Sequence, residues 1–567
     1  VKPALRQIIL LPPEVRAAGA TFRWQVEPAS DLYLATEFTL RLPAGLDGRL
    51  VPEALWWTVA LLCLHSHWTL LRPCRVLLPV VLEPGGREMW SRLIDSELAT
   101  LDAYRGGPAA APAAALSPSI DGQAGPDGLD VELVESGPRL RAPAALTEAG
   151  RCAAAFSGGK DSLLQTALLA EMGLPTVLVT TTSPMPPLAD HVTARRRHVL
   201  AEIVLRRDVE LAEVTSDLRA CWRNDFPPRV GYPVSVNEIT DTYLYTASML
   251  VVAYLRGATH LFLASETEVQ ENAEIGGRTV QHTHFMYSAA TQGALGALLA
   301  PLGMRYGSLI SALYSSQVQQ LLWTRYGDLC DLQYSCWRVA ADEATCSRCS
   351  QCLRLALAAL ALGDTPERMG IDLERLLPAM RDWTPAKTPL GSPGGGVPLP
   401  STVVGQRLRR QVLRSLATIS TARVAAALFA GRPARLWRAG GWRAVAAYAS
   451  LRRRLVLAAP GGAAELLADS YGYRAGFLRQ VDPLARARLG AIFAEHFAAE
   501  SPAAYAGVLE RSAALAEWIA APLAAARSAA GRDGGDRHEG YDGHNGNDEH
   551  DGHHGHDGHR GQGERRG

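Results

Sequence analysis

Lysine is nearly absent from this chain. Only Lys2, Lys160 and Lys387 occur among 57 basic residues, the rest being arginine, so a lysine kept in mid-chain stands out. Net charge is missing too: 57 basic and 57 acidic residues balance, with a pI near 7.3. There is thus no overall basic field to draw nucleic acid. No long hydrophobic run is present. The longest, around Leu55 to Leu64, is interrupted by His65 and His67 and is too short to span a bilayer. The N-terminal run Ile8 to Leu11 stops at Pro12-Pro13, too short for a signal peptide. Cysteines are few, nine in 567 residues, and five fall between 330 and 352, unlike a secreted disulfide framework. A cytoplasmic protein with no nucleic-acid and no membrane partner is expected, of unspecified oligomeric state.

A chain this long has room for about three or four domains. Residues 21 to 42 alternate apolar and polar positions, as strands with one buried face do. A helix-like run from Glu53 to Leu71, a strand candidate Val76 to Leu82 and a helix candidate Glu88 to Tyr104 follow. Residues 1–126 therefore read as a small α+β N-terminal domain, closed by an Ala/Pro/Gly-rich linker from Arg105 to Pro126. The pattern then changes. Apolar strand candidates recur at Cys152 to Phe156, Thr176 to Thr181, Val209 to Val214 and Thr259 to Ala264, each separated by enough chain for a crossover helix. That is the sequence form of an α/β doubly wound parallel sheet, here spanning 127–383. A Pro/Gly linker over 384–400, an Ala/Arg/Leu-rich helical region over 401–530 and a Gly/Asp/Arg/His tail over 531–567, expected to be disordered, complete the chain. In the helical region Arg407, Arg409, Arg410, Arg414 and Arg452 to Arg454 read as a solvated helix face or as phosphate contacts.

Lys160 stands in Ser157-Gly158-Gly159-Lys160-Asp161-Ser162, between an apolar strand and the helix-like run Leu163 to Glu171. Two glycines let the backbone turn tightly and point N–H groups inward, and the helix N-terminus adds unpaired donors and a positive dipole end. A phosphate fits there. The loop is not a Walker A motif, since the first glycine is missing and Asp161 separates the lysine from the serine. Ligands in such sheets bind at the carboxyl ends of the strands. Thr180 to Ser183, Thr215 to Asp217 and Ser265-Glu266 would line that crevice. Further on, Cys336, Cys346, Cys349 and Cys352 form C-x9-C-x2-C-x2-C. Four thiolates close a tetrahedral structural zinc site; an iron–sulfur cluster or free thiols are the alternatives.

The Ser-Gly-Gly-x-Asp-Ser loop resembles the signature of the PP-loop ATP pyrophosphatases, a superfamily with a HUP-like doubly wound sheet. With the late Cys cluster, it resembles the QueC-type 7-cyano-7-deazaguanine synthases. It is also similar, over more of the chain, to the MurL family of ATP-dependent epimerases, which invert the terminal glutamate of UDP-N-acetylmuramoyl-L-alanyl-L-glutamate. That second resemblance takes in Phe22, the helix around Leu61 to Trp68, the loop at 157–162, and Pro233-Val-Ser-Val-Asn237. It continues through Ser265-Glu266, Val280 with His282, and Cys336 with Arg338 through Leu362. Where the family has an aromatic and a lysine after the His282 position, this chain has His284, Phe285 and Met286.

The resemblance implies an enzyme of peptidoglycan precursor synthesis that adenylates a carboxylate with ATP and Mg²⁺, and a UDP-linked muramyl dipeptide as small-molecule partner. It implies ATP binding by Ser157, Gly158, Gly159, Lys160 and Ser162, with Asp161 ordering the loop or holding Mg²⁺. Asn237 would face the substrate, and His282 and Glu266 would serve acid–base or Mg²⁺ roles. The rival readings are a QueC-like ligase, which would consume a nitrogen donor, and a nucleotide sensor without turnover.

Overall fold

A computed structural model describes residues 5–106, 131–147, 150–183, 188–232, 234–270, 272–275, 278–334, 336, 345–379, 416, 419–429, 439–456, 472–473, 481, 483–499 and 506–533. The chain begins with β1 (Arg6–Leu10), β2 (Glu14–Arg16), β3 (Gly19–Glu27) and β4 (Glu37–Arg41). Helix α1 (Glu53–Trp68), strand β5 (Cys74–Leu78), helix α2 (Gly86–Gly106) and strand β6 (Val131–Glu135) follow. The alternating section then runs β7 (Cys152–Ala155), α3 (Lys160–Glu171), β8 (Thr176–Thr182), α4 (Leu188–Arg206) and β9 (Glu210–Ser216). After it come the short α5 (Phe226–Arg229), α6 (Val236–Leu255), β10 (His260–Phe262) and α7 (Thr267–Gln270). A hairpin of β11 (Ala273–Ile275) and β12 (Arg278–Val280) precedes α8 (Ala289–Leu299), β13 (Arg305–Gly307), α9 (Ser315–Thr324), α10 (Ser350–Ala361) and α11 (Leu373–Ala379).

One mostly parallel sheet carries most of these strands, in the order β13-β10-β7-β8-β9-β4-β3-β1-β5-β6. Strands β13, β10, β7, β8 and β9 pair in parallel throughout. Chain order reverses at β7, whose neighbours β8 and β10 lead away on opposite sides. A reversal of this kind leaves a crevice above the strand ends, because the connections diverge from it. The four expected strands there appear at the expected places. They read as unbroken apolar runs because both faces are covered: Ala153, Val177 and Val179 enter one core, while Cys152, Ala154 and Leu178 enter the other.

The N-terminal half is not set apart from this sheet. Leu40 and Arg41 of β4 pair antiparallel with Ser216 and Thr215 of β9, so the two halves share one sheet. Asp217 fixes the junction by accepting the Thr39 N–H at 2.6 Å. Strand β6, which a boundary at 126/127 assigns to the second domain, lies parallel to β5 and so closes the N-terminal half instead. That half is packed by large aromatics: Trp24, Trp56, Trp57 and Trp68 are fully buried, and Phe22 stacks on Phe38 at 4.7 Å.

The region expected to be helical contains helices at Thr421–Phe429, Ala439–Val456, Pro483–His496 and Ala506–Asp533. The last of these returns to the N-terminal half. Arg92 of α2 donates to the Trp518 carbonyl at 2.6 Å and lies over the Trp518 ring. Gly85 and Gly293 are the contact points: a Cβ on Gly85 would stand 2.3 Å from the Pro522 carbonyl oxygen, and one on Gly293 2.8 Å from Ala516. The 384–400 linker, Arg407, Arg409, Arg410 and Arg414, nearly all of the Arg105 to Pro126 linker, and the tail beyond 533 lie outside the described residues. Arg452 is a packing residue, its Nε donating to the Leu416 carbonyl at 3.1 Å. Among the described residues no helix is long and apolar enough to cross a membrane.

Candidate functional site

The loop after β7 is built around one hydroxyl. Gly158 turns the chain at φ +79°, in the left-handed region that disfavours residues with a Cβ, and Gly159 returns to an extended conformation as the cap of α3. Ser162, one turn into the helix, brings its Oγ back under the loop. There it accepts the Gly158 N–H at 3.1 Å and the Ser157 N–H at 3.3 Å, and donates to the Gly159 carbonyl at 3.0 Å. The Gly159 N–H bonds only weakly, to Ser157 Oγ at 3.4 Å. The helix N-terminus is thus ordered from below, in the manner of an anion cradle.

Lys160 is buried, 3% exposed, and its Nζ lies 2.5 Å from Asp161 Oδ1 and 2.5 Å from Glu266 Oε2. Glu266 arrives from the end of β10, where its own Ser265 N–H is held by Ser308 Oγ at 3.0 Å. Burial works against the Lys160 charge, but Asp161 and Glu266 outweigh it and raise its pKa. Glu266 is held below the ordinary carboxylate range because Lys160 and Arg354 overcome the cost of its burial. Asp161 is pushed up to about 6, by burial and by Glu266 beside it, against the pull of Lys160. Two carboxylates therefore converge on one ammonium. Hard oxygen donors so placed also suit Mg²⁺, and Asp161 and Glu266 are the pair that would hold it.

Arg354 reaches this cluster from α10, and a small cleft opens between Lys160, Ser315, Gln319 and Arg354. Helix α10 begins at the cysteines: Cys349 caps it and Cys352 lies in its first turn. The four ligand sulfurs of Cys336, Cys346, Cys349 and Cys352 lie within 4.8 Å of one another, with Cys349 and Cys352 at 3.5 Å and Cys346 and Cys352 at 3.9 Å. A tetrahedron of ~2.3 Å Zn–S bonds puts its sulfurs about 3.8 Å apart. The donor set and spacing fit a closed metal site. Ser347 makes the knuckle between two ligands at φ +48° and accepts the Asp372 N–H at 3.0 Å. Two residues before Cys336, the Tyr334 N–H holds the Gly158 carbonyl at 2.8 Å. The cysteine cluster therefore ties to the β7–α3 loop through Tyr334 and brings Arg354 to the same place on α10.

The remaining expected residues are placed differently. His282 is buried and stacks on His284 at 5.3 Å; its Nδ1 accepts the His284 N–H at 3.0 Å, which leaves the ring proton on Nε2. Asn237 opens α6, where its Oδ1 accepts the Trp222 Nε1–H at 3.0 Å and its N–H is held by Asn224 Oδ1 at 2.9 Å. Thr182 and Thr215 do stand side by side at the strand ends, 3.3 Å apart, but Asp217 is spent on the junction with β4.

The crevice also holds residues that the motifs do not mark. Arg219 Nε binds Asp241 Oδ1 at 2.7 Å and its Nη2 binds the Tyr245 hydroxyl. Arg196 from α4 reaches the Thr181 carbonyl at 2.8 Å and lies close enough to Arg219, Asp241, Tyr245 and Tyr334 to feel their charges. Burial raises the Tyr287 pKa, and Tyr245, Asp161, Tyr306 and Asp241 nearby add to the rise. Glu238, Asp241 and Tyr245 follow the i, i+3, i+7 spacing of one helix face, the single sequence signal available for them. No known protein family, characterised protein or solved structure gives a significant match to this chain.

Proposed function

We propose that the chain is an ATP-dependent adenylating enzyme of the PP-loop type, acting on a carboxylic acid. The observation that carries this reading is the β7–α3 loop. A left-handed glycine, a hydroxyl-ordered turn and one buried lysine stand at the point where strand order reverses. Such a loop suits a polyphosphate, and Lys160, freed from its two carboxylates, has the reach and charge to meet it. In the reaction a substrate carboxylate oxygen bonds to the α-phosphorus of ATP, and the bond from that phosphorus to the bridging oxygen of the β-phosphate breaks. Pyrophosphate leaves and an acyl adenylate forms. Mg²⁺ would supply charge neutralisation on the phosphates, while Arg354 and the weakly held Gly159 N–H stabilise the departing pyrophosphate.

The finer reading is epimerisation of the terminal glutamate of UDP-N-acetylmuramoyl-L-alanyl-L-glutamate, in the cytoplasm. Adenylation removes the carboxylate charge that opposes loss of the α-proton. A base then takes that proton, an acid returns one to the opposite face, and water cleaves the mixed anhydride to give AMP and the inverted acid. Glu266, held ionised, is in the state a base requires; His282, a neutral imidazole whose Nδ1 accepts the His284 N–H, can steady developing charge through its Nε2–H and becomes a proton donor only once it is itself protonated. Purified protein, zinc-loaded, is incubated with ATP, Mg²⁺ and this substrate without an amine donor, and AMP and the chirality of glutamate are measured. D-glutamate with AMP, both lost in Lys160→Ala, is the expected result. AMP with L-glutamate retained would reject inversion, and no AMP would reject adenylation of this acid.

A further inference from the structure

Strands β10 and β13 pair in parallel over three residues, His260 with Arg305, Leu261 with Tyr306 and Phe262 with Gly307. One more ladder bond follows, from the Leu263 N–H to the Gly307 carbonyl at 3.0 Å. Beyond it, side chains join the two segments. Ser308 Oγ accepts the Ser265 N–H at 3.0 Å and the Ile310 N–H at 3.3 Å, and donates to the Ser265 carbonyl at 2.8 Å. A hydroxyl has one proton and two lone pairs to offer, so all three are spent. Gln165, fully buried on α3, reaches into the same fork. Its Nε2 donates to the Phe262 carbonyl at 3.2 Å and its Oε1 accepts the Leu309 N–H at 3.4 Å. Glu266 follows directly, and on its far side the Thr267 N–H is held by the Leu313 carbonyl at 2.9 Å. The backbone is therefore fixed on both sides of this carboxylate.

We propose that Ser308 and Gln165 are positioning residues, a polar wedge that sets the place where Glu266 meets Lys160. The hydroxyl fixes where the chain leaves β10 toward Glu266. The amide fixes how far that strand end stands from α3, the helix that Lys160 opens. Neither side chain need touch a ligand. Their part in the reaction rests on the adenylation reading, in which the lysine and the carboxylate act within a fraction of an ångström of their set places.

The scarcity of lysine makes this geometry observable, because Lys2, Lys160 and Lys387 are the only three in the chain. Full-length protein labelled with ¹³C and ¹⁵N in lysine alone gives side-chain NMR signals from those three, and Lys160→Ala identifies the one from residue 160. Its shifts report the carboxylates beside the ammonium, at fixed pH and without any ligand. Ser308→Ala, and separately Gln165→Met, should each move the Lys160 signal. Each should also lower kcat for AMP release by about ten-fold, with a smaller change in the KM for ATP. Ser311→Ala is the control: its hydroxyl is equally buried but has no hydrogen-bond partner, so signal and kcat should both stay. Should one variant not fold, the other carries the test. A folded variant that leaves the Lys160 signal in its wild-type position overturns the proposal, as does one that moves the signal with kcat unchanged. It is also overturned if Ser311→Ala moves the signal as far, since any loss of packing would then do the same. Failure of adenylation is read separately, as signals that move as expected in a protein whose wild type releases no AMP.

Discussion

Two polar clusters lie inside this protein, and they are built for different ends. Where the N-terminal half meets α6, His65, Glu97 and Tyr243 are fully buried. His65 Nε2 meets Glu97 Oε1 at 2.9 Å, Tyr243 donates to the same oxygen, and His65 Nδ1 is held by the Leu61 carbonyl at 2.8 Å. Three helices, α1, α2 and α6, are tied at one point with no route to solvent. After β7 and β10, Lys160, Asp161 and Glu266 are also close-packed, but the Asp161 side chain is 35% exposed and a cleft opens beside Lys160. The first cluster can only hold the fold together. The second, on the adenylation reading, would exchange its partners for a ligand.

The sharpest way to break this comparison is to remove one member from each side. Lys160→Ala is expected to lower AMP release by about 10³-fold, with the far-UV circular dichroism unchanged. Glu97→Ala should do the reverse. Stranding His65 and Tyr243 in the core should cost about 3 kcal/mol, seen as a lower urea midpoint. The turnover of the variant that remains folded should stay within about two-fold of wild type. If Glu97→Ala abolishes turnover in folded protein, the closed cluster is part of the active machinery and the distinction fails.

The cysteine cluster sharpens the same contrast, because it serves the ligand-facing half alone. Cys352→Ser is expected to lose whatever metal ion the four thiolates hold, measured by metal analysis. It should also weaken ATP binding by about ten-fold, since Tyr334 and Arg354 both reach the loop from this cluster. Metal loss with ATP affinity unchanged would make the cluster a staple with no influence on the loop.

Much of the ligand-facing half is legible in the sequence, and the reasons are local. Strands covered on both faces read as apolar runs, the two glycines suit a turn, and C-x2-C-x2-C spaces thiolates to share one metal ion. What escapes is non-local. The junction of β4 with β9 rests on two residue pairs, Leu40 with Ser216 and Arg41 with Thr215, which leave no periodic signal. Strand β6 pairs backward with β5 across a long intervening segment, and the helix Ala506–Asp533 returns to pack on α2 and α8. Arg196 is hidden differently. In an Arg-rich chain, only the helix phase distinguishes the buried arginine from its two neighbours.

Acidification separates the halves by the sign of its effect. His67 lies fully buried against Trp222, with neither ring nitrogen hydrogen-bonded. Burial, with His65 beside it, lowers its pKa to about 3. The unfolded chain takes up a proton at the ordinary value near 6.5 while the folded protein does not. Stability is therefore lost as pH falls below that value, by about 1.4 kcal/mol per unit until about pH 3. Asp161, raised to about 6, runs the other way: between its unfolded pKa and about 6 the folded state binds the extra proton, so this group favours folding as pH falls. Its exposed edge screens that contribution, and His67 should dominate. His67→Phe is expected to flatten the acid limb of the urea-midpoint profile below pH 6.5, whereas Asp161→Asn should leave that limb in place and shift only the pH dependence of Mg²⁺–ATP binding near 6. An acid limb that persists in His67→Phe would mean that the histidine finds a partner on protonation, and the N-terminal core would then be as adaptable as the loop.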